Sequence, residues 1–207
     1  LVEKEYTLDN MPIILPLMED TVCGILGDEG QRLTYIRNLV LQIAACHSYD
    51  EVKMVFRMGE NELKQLDCLR YLPHVWDDQR SVRYIATKEA EAYALGENIK
   101  KQFEMQLDED GEKKKRLRNQ PYYVIFALDK KLLESHEIMK EILQSDSNCG
   151  VSIVAAYDDL PKETRSIITL KSNQESIYTS LGRNGSEDVK FSLDDCGEEA
   201  VAKAMSA

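Results

Sequence analysis

Val22-Cys23-Gly24-Ile25-Leu26-Gly27-Asp28-Glu29-Gly30-Gln31-Arg32 is the stretch that decides the fold. A short apolar run meets a glycine-punctuated turn and then the start of a segment with helical period. Beyond the turn, Leu33, Ile36, Leu39, Val40, Ile43 and Ala44 recur at spacings of three and four, so one side of a helix is wholly apolar. Strand, tight turn and helix in this order open a β-α-β unit, and the helix is expected to run out near His47 and Ser48.

The rest of the chain repeats the rhythm. Val52 to Phe56 reads as a second strand. Leu63, Leu66, Cys68 and Leu69 suggest a short helix stopped by Pro73, whose ring pushes the preceding residue out of helical geometry. Arg83 to Ala86 fits a third strand and Ala90 to Leu107 a long helix dissolving into the charged turn at 108–111. Tyr122-Tyr123-Val124-Ile125-Phe126-Ala127-Leu128 is an uninterrupted apolar run, the mark of a strand buried on both faces, and Asp129 ends it. A helix carrying Leu132, Leu133, Ile138, Ile142 and Leu143 follows, then a strand at Val151 to Ala155. After Pro161 the helices stop. Ser166 to Leu170, Ser176 to Ser180 and Val189 to Leu193 read as short strands joined by turns, an antiparallel extension of the sheet. A closing helix is expected over 198–206. The fold class is therefore α/β, with a mostly parallel central sheet covered on both faces.

In such sheets ligands bind at the carboxyl ends of the strands, so the turn after the first strand is where a phosphate would be sought. A phosphate-binding loop needs Gly, four residues and Gly-Lys-Ser/Thr: backbone N–H groups wrap the phosphates, lysine neutralises them and the hydroxyl holds magnesium. With Gly30 as the second glycine, the first position falls on Ile25, the lysine position on Gln31 and the hydroxyl position on Arg32. Asp28 and Glu29 also sit in the turn, and a carboxylate ~5 Å from a phosphate charge at an effective dielectric of ~20 costs on the order of 3 kcal/mol. Gly27, Asp28, Glu29 and Gly30 are thus expected to build a turn and favour the helix N-terminus rather than hold phosphate.

Asp129 stands where a magnesium-organising aspartate could follow an apolar strand, yet Lys130 and Lys131 replace the second carboxylate expected there. Capping of the next helix is the better reading for Asp129. His47 is expected to end a helix, His136 to lie on an exposed helix face between Glu134 and Glu137, and His74 to sit in Leu72-Pro73-His74-Val75-Trp76. None has metal-ligand spacing to a cysteine, and a Cys–His pair could form only through space. The basic cluster at 113–116 faces the acids of 108–110 and lacks the aromatic interleaving of a nucleic-acid surface. No catalytic residue, metal or cofactor is expected.

At 207 residues the chain can bury roughly 70% of the surface its unfolded form exposes, enough for one self-sufficient core. The formal charge of −11 repels phosphodiester backbones and anionic lipid, which argues against nucleic-acid binding. Five widely spaced cysteines without a C-x-x-C pair suggest reduced thiols. No apolar run approaches the ~20 residues of a membrane span. The domain is expected to be soluble and to be a piece of a longer chain.

Several segments together resemble a known family. Gly24-Ile25-Leu26-Gly27, Leu39-Val40-Leu41-Gln42-Ile43-Ala44-Ala45 running into His47-Ser48, Asp50-Glu51-Val52-Lys53-Met54-Val55, and above all Arg70-Tyr71-Leu72-Pro73-His74-Val75-Trp76 are similar to the EssC/EccC-type FtsK/SpoIIIE motor proteins of type VII secretion. The likeness extends through Tyr122 to Asp129, Leu160-Pro161 and Phe191, and falls between the family's transmembrane helices and its first ATPase module. It implies a RecA-like domain without a working phosphate loop, with residues 1–20 a linker or edge segment and 21–207 a single degenerate ATPase-like domain. It also implies a hexameric parent that uses ATP and magnesium in its other modules, at the cytoplasmic face of the bacterial membrane. The partners implied are neighbouring ATPase domains and protomers and other secretion components. Two alternatives remain open: a nucleotide-binding ATPase module using Arg32 or Lys130 as its cation, and a DNA-translocase module.

Overall fold

The apolar runs pair into one sheet and the periodic segments cover both of its faces. The computed structural model describes residues 12–104, 121–145, 148, 150–172, 175–182 and 185–193. The expected turn at 108–111, the cluster at 113–116, the closing helix at 198–206 and residues 1–11 of the leading segment lie outside the described residues.

In chain order the elements are α1 (Leu17–Asp20), β1 (Val22–Leu26), α2 (Glu29–Cys46), β2 (Val52–Arg57), α3 (Glu60–Gln65), β3 (Ile85–Ala86), α4 (Glu89–Glu104), β4 (Tyr122–Ala127), α5 (Lys130–Leu133), α6 (Glu137–Leu143), β5 (Val151–Ala155), β6 (Ser166–Thr169), β7 (Ser176–Gly182) and β8 (Gly185–Phe191). The strand order is β3-β2-β4-β5-β1-β6-β7-β8. The pairings from β3 through β6 are parallel, and β7 and β8 are added antiparallel.

β4 explains why the sheet centre reads as a continuous apolar run. Val124 and Phe126 enter one core, while Tyr123, Ile125 and Ala127 enter the other. The first core is closed by Leu33, Ile36, Val40 and Ile43 of α2 with Leu66, Leu69, Leu72 and Val75; the second by Leu95 and Ile99 of α4 with Leu132, Leu133, Ile138 and Met139. Across β2 and β4, the opposed rings of Phe56 and Phe126 stack at 4.9 Å. An aromatic pair of this kind is worth about 0.5–1.5 kcal/mol beyond its burial.

Four expectations change in detail. The segment before Pro73 is not one helix: α3 ends at Gln65, and tight 3-10 turns occupy Asp67–Tyr71 and Pro73–Val75. The helix expected through Leu132 to Leu143 is broken into α5 and α6. His136 is the reason: it has extended backbone, and its Nδ1 accepts the Ile138 N–H at 3.1 Å, capping α6. It is therefore buried rather than on an exposed face, with Nε2 on Glu97 Oε1 at 2.7 Å and its ring against Tyr93. Because Nδ1 accepts, Nε2 carries the proton and donates to Glu97. Finally, β6 joins β1 in parallel, Cys23 opposite Ser166, so the antiparallel extension consists of β7 and β8. The loop after β5 carries the chain back across β1 before β6 begins.

That loop does the work of a helix. A Cβ on Gly24 would overlap Leu160 Cδ1, so the glycine in β1 leaves the room in which Leu160 seals the second core.

Candidate functional site

The carboxyl ends of β1, β4 and β5 share one end of the sheet, and the residues singled out from the sequence gather there. β1 stops at Leu26, and Gly27 turns the chain at φ +148°. A Cβ at Gly27 would lie 2.9 Å from Leu170 Cβ, so the tight turn depends on glycine both for conformation and for the approach of the β6 end. Gly30 carries no such demand: an added Cβ would meet only Asp28 Oδ1, at 3.5 Å.

Asp28 caps α2. Its Oδ1 accepts the Gln31 N–H at 2.9 Å, and Gln31 Oε1 accepts the Asp28 N–H at 3.2 Å, a reciprocal capping box. Gln31 Nε2 then donates to Ser172 Oγ at 2.9 Å, tying the turn to the segment after β6. A phosphate at a helix N-terminus depends on free N–H groups and a positive end of the helix dipole. Here the chain's own carboxylate takes up an amide and lies where the anion would sit. The side chain at the lysine position is spent on the turn itself.

Asp129 behaves likewise. Its Oδ1 accepts the Leu132 N–H at 3.1 Å and caps α5. In the strand order β5 lies between β4 and β1, so Asp129 stands two strands, about 10 Å, from the Gly27 turn.

Arg32 and Lys130, the cations that a phosphate would have to use in the ATPase reading, are engaged by consecutive aspartates of the loop after β5. Arg32 Nη1 donates to Asp158 Oδ1 at 2.6 Å, and Lys130 Nζ pairs with Asp159 Oδ2. The hydrogen bond and charge of Asp159 raise the Lys130 ammonium above its ordinary pKa, while Lys130 lowers that of Asp159. Both aspartates are largely exposed, so water screens the pairs and they position the two cations more than they stabilise the fold. The sequence reading passed over these acids. Their signal was two adjacent aspartates between a buried strand and Pro161.

The remaining candidates stay apart. His47 is exposed at the C-terminus of α2, and its carbonyl holds the buried His74 ring, Nε2 to O 2.9 Å. Burial lowers the His74 pKa, which keeps that ring neutral. Burial pushes the Cys23 thiol up to about 12 and raises that of Cys68, so neither is poised as a thiolate. Cys46 is exposed. Among the described residues no group of three His, Cys, Asp or Glu side chains could hold a metal ion, and no helix is long and apolar enough to cross a membrane.

Comparison with known proteins agrees with the resemblance drawn from sequence. No protein-family model matches the chain. It is 26% identical over 200 residues to the ESX secretion system protein EccC of Geobacillus thermodenitrificans, covering 92% of this chain and 13% of the relative. It is 25% identical over 203 residues to the type VII secretion system protein EssC of Staphylococcus aureus, with 92% and 14% covered. The chain therefore spans about one-seventh of the length of these relatives. Among solved structures, EssC (ATPases 2 and 3) from G. thermodenitrificans superposes with a TM-score of 0.61 at 16% identity, covering 91% of this chain and 44% of that one. EccC (ATPases 2 and 3) from Thermomonospora curvata, in complex with a signal sequence peptide, gives 0.55 at 15% identity, covering 93% and 43%. The structural likeness establishes the α/β ATPase-type fold. The sequence likeness relates the chain to EssC/EccC-type proteins of type VII secretion.

Proposed function

We propose that this chain is a non-catalytic coupling and assembly module, a pseudo-ATPase domain, of an EssC/EccC-type secretion motor at the cytoplasmic face of the bacterial membrane. Its work is contact with neighbouring protomers, adjacent motor domains and other secretion components, while ATP and magnesium are used by other modules of the parent. One observation carries the reading: the α2 N-terminus is capped by Asp28 and Gln31, so neither a cation nor a free set of amides is offered to a triphosphate. The capping role of Asp129 supports it from the magnesium side.

The competing ATPase reading needs Arg32 or Lys130 as the phosphate cation, and both are paired with Asp158 and Asp159. A DNA-translocase role runs against the charge of −11.

Calorimetric titration of the 207-residue chain with Mg-ATP tests the proposal. The expected result is no saturable heat. Asp129→Ala should leave that result unchanged and lower folding stability by about 1 kcal/mol, the cost of a lost helix cap. Micromolar binding that depends on Gly27 to Gly30, or ATP turnover lost on Arg32→Ala, would establish the ATPase reading instead.

A further inference from the structure

β8 is the last strand of the sheet, hydrogen-bonded only to β7 among the described strands, and its side chains from Gly185 to Lys190 are exposed on both faces. An edge strand offers a row of outward N–H and C=O groups to another chain unless charge, proline or a bulge prevents pairing. No proline interrupts β8, and its charges are of both signs: Glu187, Asp188 and Lys190.

We propose that β8 is a self-association edge, where two copies of this chain pair antiparallel and continue their sheets into one. A two-fold axis normal to a sheet keeps each residue on its own face, so it can pass only through a residue and its copy. Five such registers centre on the charged and apolar part of the strand. Centring on Glu187, Asp188 or Lys190 sets like charges opposite each other, which is destabilising. Centring on Phe191 leaves Lys190 facing Ser192 and Asp188 beyond the strand. Centring on Val189 places Asp188 opposite Lys190 of the second copy twice over, and lays the exposed Val189 side chains together on the axis. The strand is thus complementary in charge to its own reversed sequence. Val189 lies on the same face as Tyr178, its partner in β7, so the axis is flanked by aromatic surface continuous with the first core.

A contact five strand residues long on each copy, Glu187 to Phe191, falls below the roughly 1,000 Å² of a stable complex, so a weak dimer is expected, with Kd on the order of 100 μM. Sedimentation of the 207-residue chain over a concentration series reads it directly. Wild type should pass from monomer to dimer. Asp188→Lys and Lys190→Asp should each weaken the dimer by roughly tenfold, because both cross-strand pairs become repulsive. An equimolar mixture of these two variants should recover wild-type affinity as a heterodimer, since the two ammonium groups of one variant then face the two carboxylates of the other. Circular dichroism of each variant separates loss of pairing from loss of folding. A wild type that stays monomeric throughout overturns the proposal. So do single variants that dimerise as wild type does, or a folded mixture no tighter than its components.

Discussion

Gly96 lies inside α4, where alanine would ordinarily be favoured by about 1 kcal/mol. The His136 ring occupies the space its side chain would need: an added Cβ would stand 2.6 Å from His136 Cβ and closer still to the ring. The imidazole cannot swing away, because Glu97 and the Ile138 N–H hold it at both nitrogens. Overpacking of a fixed neighbour costs about 1–3 kcal/mol, so the clash outweighs the propensity gain. Gly96→Ala should therefore lower the urea midpoint, and Gly96→Ala combined with His136→Gly should recover part of it, because glycine vacates both the ring and the Cβ position and is tolerated as a helix cap. A double variant no more stable than Gly96→Ala alone would show that the contact is not what sets the cost. Residues differ in how openly they declare such roles. Asp129 was legible as a cap, and Asp28 as an acid favouring the helix N-terminus, because a short acid before a periodic apolar run has few other uses at that place. His136 was not, since the helical spacing from Leu132 to Leu143 continues straight through it and only the tertiary contact with Glu97 turns it inward.

Among the elements, α5 cannot stand alone, being one turn long. Its buried C-terminal end is held from below by Arg57 at the end of β2, whose Nη1 donates to Leu132 O at 2.6 Å and to Ser135 Oγ at 3.2 Å. Arg57 is fully buried, its Nε and Nη2 have no partner among the described residues, and burial lowers its pKa to about 10. A guanidinium kept in the core at that cost is best understood as the support for these acceptors. Arg57→Ala should destabilise the protein by about 3 kcal/mol, from a cavity and orphaned acceptors together. Amide exchange should quicken most over 130–136; a uniform change across the sheet would count against the local role. At this scale the sequence was generous with strands, since β1, β2, β4 and β5 are short apolar runs set off by turns. It was reticent about Arg57, because an arginine at the end of an apolar run reads as a strand edge reaching solvent. The place of β6 was also hidden: a loop with no helical period gives no hint that it recrosses β1.

Over the whole molecule, the buried phenols and thiol set the alkaline limit. Burial raises Cys23 to about 12 from 9.0, and it raises Tyr35, Tyr84, Tyr123, Tyr157 and Tyr178 above the ordinary tyrosine value. The folded protein holds these protons at pH values where the unfolded chain has released them, so the unfolded chain binds fewer and stability falls as pH rises. Arg57 and Arg83 act in the opposite sense, since their folded pKa values are the lower ones, but they are two groups against these six. The urea midpoint should fall steadily from about pH 9 to pH 11, and Cys23→Ala should soften the earliest part of the fall. A flat profile would mean that these side chains reach water in the native state.

The leading segment is fastened to the sheet before β1 begins. Leu17 O accepts the Ser152 hydroxyl, Asn148 Nδ2 donates to Met18 O at 2.6 Å, and Ile153 N–H donates to Thr21 O at 2.7 Å. A mechanical load applied at this end would run along β1, which is gripped by a parallel neighbour on each side. Tension then has to slide the strand lengthwise past both neighbours, breaking a whole row of bonds at once instead of peeling them one after another, so the domain enters a pull from its stiffest direction.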